Sequence, residues 1–157
     1  MRMQAALPPA GSGEFFLTEG GSETEIMYRH GFELPEFAMF PLLDDRKAVT
    51  AMRAMFCSQL DVAAEFGLSF LLCGLDYRAS PDWGAKLGYS PQALADANTA
   101  AIEFLREVAD SYRDQIPRLL ILVSRHVGAI SLQLGYARRR TSAEWHRRAS
   151  LRRPSYG

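Results

Sequence analysis

Two kinds of apolar pattern take turns along this chain. Short continuous runs have the length and content of buried strands: Phe15-Phe16-Leu17-Thr18, Leu68-Ser69-Phe70-Leu71-Leu72-Cys73, and the Leu-Leu-Ile-Leu-Val centre of residues 118–124. Between them, apolar residues recur at spacings of three and four. Val49, Met52, Phe56, Leu60 and Ala63 form one such stripe, and Leu94, Ala97, Ala101, Leu105, Val108 and Tyr112 form another. Each predicts an amphipathic helix with one face on a core. The punctuation agrees. Asp44 or Asp45 can cap the first long helix and Gly67 ends it, while Ser90-Pro91 offers the second an N-cap and a proline at its first position. Ser22, three residues before Glu25, has the spacing of a capping box and predicts a short helix that Gly31 closes. Residues 32–43 hold Pro35 and Pro41 and are expected to be irregular, and residues 74–89 are expected to form a long loop around Ser80-Pro81-Asp82-Trp83-Gly84.

The order β, short helix, α, β, α, β, with no sign of a hairpin, predicts an α/β fold of parallel strands joined by helical crossovers. The pattern allows an open doubly wound sheet or the first part of a barrel. The apolar runs are far below the roughly 20 residues that span a bilayer, so no membrane partner is expected. Residues 1–14 lack an apolar h-region and carry Pro8, Pro9, Gly11, Ser12 and Gly13, which read as a flexible leader. Two cysteines, Cys57 and Cys73, make no disulfide framework, and the expected setting is reducing and cytoplasmic.

Charge changes the picture in one respect. The net charge of zero conceals 10 Lys and Arg against 17 Asp and Glu up to Val123, then 8 Arg against one acid, Glu144, from Ser124 onward. A break of that size within one small domain needs its own explanation.

The most informative stretch for chemistry is Leu17-Thr18-Glu19-Gly20-Gly21-Ser22-Glu23-Thr24-Glu25. Two glycines after a strand let the backbone approach a ligand, and a carboxylate beside them could hold an ammonium group. The same residues also suit a plain strand-to-helix turn in which glycine solves a steric problem. Neither G-x-G-x-x-G nor G-K-[ST] is present, so phosphate binding is not favoured.

Leu17-Thr18-Glu19-Gly20-Gly21-Ser22-Glu23-Thr24 resembles the opening strand and turn of the homocysteine S-methyltransferase family. His30-Gly31-Phe32-Glu33-Leu34-Pro35-Glu36-Phe37-Ala38 and Tyr77-Arg78-Ala79-Ser80-Pro81-Asp82-Trp83-Gly84 with Leu87-Gly88-Tyr89 resemble later segments of the same family, in order. The similarity runs from about Phe15 to about Val123 and implies the first part of a (β/α)8 TIM barrel, with about three parallel strands and flanking helices. It also implies methyl transfer to the homocysteine thiol, giving methionine, from S-methylmethionine, S-adenosylmethionine or betaine. Glu19, Gly20, Gly21 and Thr24 are the implied substrate-binding residues, and Asp76, where the sequence departs from the family, could supply a different polar contact to substrate.

Family members hold zinc through three cysteine thiolates on later strands, and the metal lowers the pKa of the substrate thiol. Neither cysteine here matches those positions, so no residue is assigned to catalysis or to a metal, and no zinc is expected on this chain. Glu19 stands where the family usually has Asp, and Cys73-Gly74-Leu75-Asp76 replaces a segment that begins with glutamate or glutamine and carries threonine.

Beyond Ser124 the resemblance fades. Residues 15–124 are thus expected to be the amino-terminal part of a homocysteine-binding barrel, inactive as a fragment. Residues 125–157 are expected to be a basic tail, disordered or arising from a shifted reading frame. The alternative makes the chain a non-catalytic remnant whose Arg138-Arg139-Arg140, Arg147-Arg148 and Arg152-Arg153 bind nucleic acid or an acidic partner, with Tyr136, Trp145 and Tyr156 available to stack. No recognised nucleic-acid fold supports that alternative.

Overall fold

The computed structural model describes residues 8–9, 11–125 and 129–137, the last nine and Ser124 and Arg125 by their backbone alone. Eight elements alternate along it: β1 (Phe16–Thr18), α1 (Ser22–Tyr28), α2 (Arg46–Phe66), β2 (Ser69–Cys73), α3 (Pro81–Lys86), α4 (Pro91–Asp110), β3 (Arg118–Arg125) and β4 (Ala129–Ala137). Two short 3-10 turns, Pro35–Phe37 and Phe40–Asp44, lie between α1 and α2. The sheet order is β1-β2-β3-β4, with β1, β2 and β3 parallel. An α/β fold with a three-stranded parallel sheet flanked by helices is therefore what these residues form.

The helices begin and end for local reasons. Asp45 caps α2 through the amides of Lys47 and Ala48, and Gly67, at φ 64°, ends it by returning its amide to Ala64 while Leu68 returns to Ala63. Ser90 caps α4 through the amide of Ala93, with Pro91 at the first position. At α1 the capping-box expectation fails. Ser22 is the first helical residue and buried, and Gly21 stands at the N-cap in a left-handed conformation with no side-chain cap. A left-handed N-cap carries the chain into the helix by a route that only glycine adopts without strain. Gly31 closes this helix, its amide bonding the Met27 carbonyl.

One core unites the three larger helical segments with one face of the sheet. Ile26 of α1, Met52, Phe56 and Leu60 of α2, and Leu105 and Val108 of α4 join Phe70, Leu72, Leu119 and Ile121 from alternate strand positions. Burial of fully enclosed leucine and phenylalanine side chains contributes about 1.5–3 kcal/mol each. Both crossovers thus cover the same face, an arrangement shared by a barrel segment and by half of a doubly wound sheet. A smaller cluster of Ala38, Phe40, Ala79 and Leu94 joins the two loops that follow β1 and β2. Gly84 belongs to that region of close contact, since a Cβ there would come within 2.7 Å of Leu94 Cδ2. The loop expected over residues 74–89 contains α3, and the connector expected to be irregular contains the two 3-10 turns.

The expectation of no hairpin is overturned at the outer edge. β4 pairs antiparallel with β3 from Arg118↔Ala137 to Arg125↔Ala129, with an irregularity between Ile121 and Leu122. Its sequence alternates Ile130, Leu132, Leu134 and Tyr136 with Ser131, Gln133 and Gly135, the period of a strand. Part of the segment expected to be a disordered tail is therefore strand. Residues 138–157, with all seven arginines invoked for nucleic-acid binding, lie outside the described residues.

The presumed leader also takes part in the fold at its last residue. Glu14 bonds Arg118 at 3.0 Å and accepts from the Ser69 hydroxyl at 3.5 Å, at the amino end of the parallel strands. No helix among the described residues is long and apolar enough to cross a membrane.

Candidate functional site

Parallel strands bring the residues that follow them to one end of the sheet, and there the structure opens a cavity of about 370 Å³. Glu19 follows β1, Cys73 ends β2, and Gly74, Leu75, Asp76 and Tyr77 continue from it. Gly21, Ser22 and Glu23 enter from the start of α1, Phe37 and Met39 from the 3-10 region, and Phe56 from α2. The volume is within the range of small-molecule sites.

Glu19 is the centre of the arrangement. Its Oε1 accepts a 2.5 Å hydrogen bond from the Cys73 amide, supplying an acceptor to β2 at the point where β1 has ended. Its Oε2 is buried and has no hydrogen-bond partner. Burial raises the Glu19 carboxyl above its ordinary value against the hydrogen bonds from its own amide and from the Cys73 thiol and amide, and the Glu23 carboxylate adds to the rise. Burial and the same Glu19 carboxyl push the Cys73 thiol up to about 12, so it is a thiol and not a thiolate near neutral pH.

The backbone around the mouth is strained where the rest of the fold is not. Glu36 and Phe37, at φ 52° and 63°, and Arg78, at φ 65°, are the positive-φ residues other than glycine among those described. Such conformations cost of order 1–3 kcal/mol and concentrate at ligand sites. Phe37, one of these positions, and Tyr77, next to another, meet edge to face at 6.4 Å. The Arg78 guanidinium lies 3.7 Å from the centroid of Trp83, with Lys86 at 3.9 Å from the same ring, and neither cation lines the cavity. Gly74 is required for a different reason. A Cβ there would lie 2.8 Å from Asp76 Oδ1 and 3.2 Å from the Leu122 carbonyl oxygen, so the missing side chain is what lets Asp76 fold back beside the end of β3.

Of the expected substrate-binding residues, Glu19, Gly21 and Asp76 line the cavity. Gly20 and Thr24 are exposed and do not. Sequence reasoning missed Glu23, Phe37, Met39 and Tyr77, and it read Phe56 only as a core residue. Among the described residues no group of three or more His, Cys, Asp or Glu is placed to hold a metal ion.

Comparison of the chain with known protein families, with curated proteins and with solved structures finds no match in any of the three.

Proposed function

We propose that this chain is a protein of the homocysteine S-methyltransferase type, and that its described residues form the end of the site that binds the amino group of homocysteine. The observation that carries the reading is Glu19, the acid of the Leu17-Thr18-Glu19-Gly20-Gly21 turn, with a buried oxygen that lacks a partner in the wall of a ligand-sized cavity. A primary ammonium there would donate to Glu19 Oε2 and stabilise the ionised carboxylate, offsetting the cost of its burial. Phe37, Tyr77 and Met39 supply apolar walls against which the thiol-bearing chain can lie.

In the family, zinc supplies a thiolate at neutral pH, and the methyl group passes to sulfur from a sulfonium or ammonium donor. The residues described here bind and orient, and methyl transfer and the barrel that would house it belong to the proposal through resemblance alone. Two free thiols, Cys57 and Cys73, suit a reducing, cytoplasmic setting. Titration calorimetry with L-homocysteine tests the reading. Saturable binding is expected, reduced at least tenfold in Glu19→Ala. A chain that binds no homocysteine, or whose affinity is indifferent to Glu19, rejects it. Zinc stoichiometry and a methyl-transfer assay with S-methylmethionine, run in parallel, separate binding from turnover.

A further inference from the structure

The two edges of this sheet are built differently. β1 is three residues long and lies between Glu14 and Glu19, so its outer row of amide and carbonyl groups is short and flanked by charge. Shortness and charge are both means by which edge strands are kept from pairing with other chains. β4 has neither. It runs nine residues, Ala129–Ala137, with no charged residue and no proline. It stands last in the strand order, so no strand among the described residues pairs with its outer row. An uncharged edge of that length is a template on which a further strand is added through main-chain hydrogen bonds.

The one irregularity in β4 has a definite place. Residues 129–132 pair with 122–125 of β3 and residues 134–137 pair with 118–121, while Gln133 faces no β3 residue. Gln133 is thus the middle of the strand, with a regular run of equal length on either side. A second β4 added antiparallel about a two-fold axis at Gln133 sets each regular run against the other regular run of its partner. Both irregular residues then fall on the axis. Charge selects the same direction. Arg138-Arg139-Arg140 follows β4 directly. Antiparallel addition starts the two basic runs about 30 Å apart, well beyond the Debye length, whereas parallel addition starts them side by side.

We propose that a second copy of this chain occupies the outer row of β4, giving a two-fold dimer in which two four-stranded sheets join edge to edge with Gln133 of each copy at the centre. The joint uses the same surface on both partners and closes on itself. Each β4 has one outer row to give, and the partner's β4 takes it. The strand edges left open among the described residues are then the two short β1 strands, so growth stops at the dimer. The proposal is independent of what the cavity binds.

Sedimentation equilibrium on the full chain tests it. A concentration-dependent species of twice the 17.5 kDa chain mass is expected. Gln133→Lys sets two like charges opposite one another across the axis and should weaken the dimer on the order of fivefold. Gln133→Glu alone should weaken it similarly. An equimolar mixture of the two variants should recover the affinity, because opposite charges then face each other, and a chain that had merely lost its fold would not recover on mixing. A chain that stays monomeric at every concentration overturns the proposal. Assembly that continues past the dimer overturns it too, since the joint would not be closed. A dimer indifferent to charge at residue 133, or variants that mixing does not rescue, places the contact elsewhere and overturns it as well.

Discussion

Glu14 and Glu19 stand five residues apart at opposite ends of β1, and the sheet treats them in opposite ways. At the amino end Glu14 spends both oxygens, one on Arg118 and one on the Ser69 hydroxyl, in a partly solvated ion pair. At the carboxyl end Glu19 spends one oxygen on the Cys73 amide and leaves the other buried without a partner, beside two further carboxylates. The first arrangement is complete as it stands. The second leaves one acceptor open, which the proposed ammonium group would fill, and the positive-φ residues other than glycine among those described gather in the loops at that end. The two carboxylates thus differ in which of their oxygens are already occupied.

Four substitutions break or sharpen that contrast. Leu105, fully buried in the core beneath both ends, should cost about 2–5 kcal/mol when truncated to Ala. Denaturant titration should show this loss with the slope unchanged, so that neither end survives it preferentially. Gly74→Ala should cost about 1–3 kcal/mol, because Asp76 or the end of β3 must move to admit a Cβ. Its damage should be local, weakening amine binding while the contribution of the pair at Glu14 and its sensitivity to salt stay unchanged. An equal loss of amine binding in a substitution at the amino end would erase the distinction.

Glu19→Gln should change the pH dependence of stability more than its size. The wild-type carboxyl has a folded pKa above its unfolded value of 4.5. The folded state therefore holds its proton more tightly, and this contribution is full below pH 4.5 and lost as pH rises through the folded value. Relative to the Gln variant, wild-type stability should fall over that window, and parallel pH profiles of the two proteins would contradict the burial of Glu19. The smallest effect is expected at Glu14→Gln, a loss of about 0.2–1 kcal/mol that fades in high salt and leaves amine binding intact.

The body of the fold was legible because its signals are periodic and local. The Met52-Phe56-Leu60 and Leu94-Ala101-Leu105 stripes, the caps at Asp45 and Ser90 and the stop at Gly67 each act within a few residues. The site was legible only where it touches a strand end, at Glu19, Gly21 and Asp76. Phe37, Met39 and Phe56 reach the same cavity from a 3-10 region and from the far side of a helix, and no spacing in the sequence links them to Glu19. Gly20 and Thr24 lie in the same short motif yet face solvent, since the direction in which α1 leaves its turn decides which of its neighbours looks inward. β4 carried an alternating strand signal of its own, but strand pairing is a long-range choice, and the run of arginines beginning at Arg138 drew the reading toward a tail.

The antiparallel β4 has a consequence for how far this sheet can grow. A strand's outer row of amide and carbonyl groups is single-use, and β4 occupies the row on β3 that a fourth parallel strand of a closed barrel would need. Hairpin and barrel are therefore competing occupants of one edge. While β4 is seated there, growth of the sheet is left to the outer rows of its two edge strands, β1 and β4.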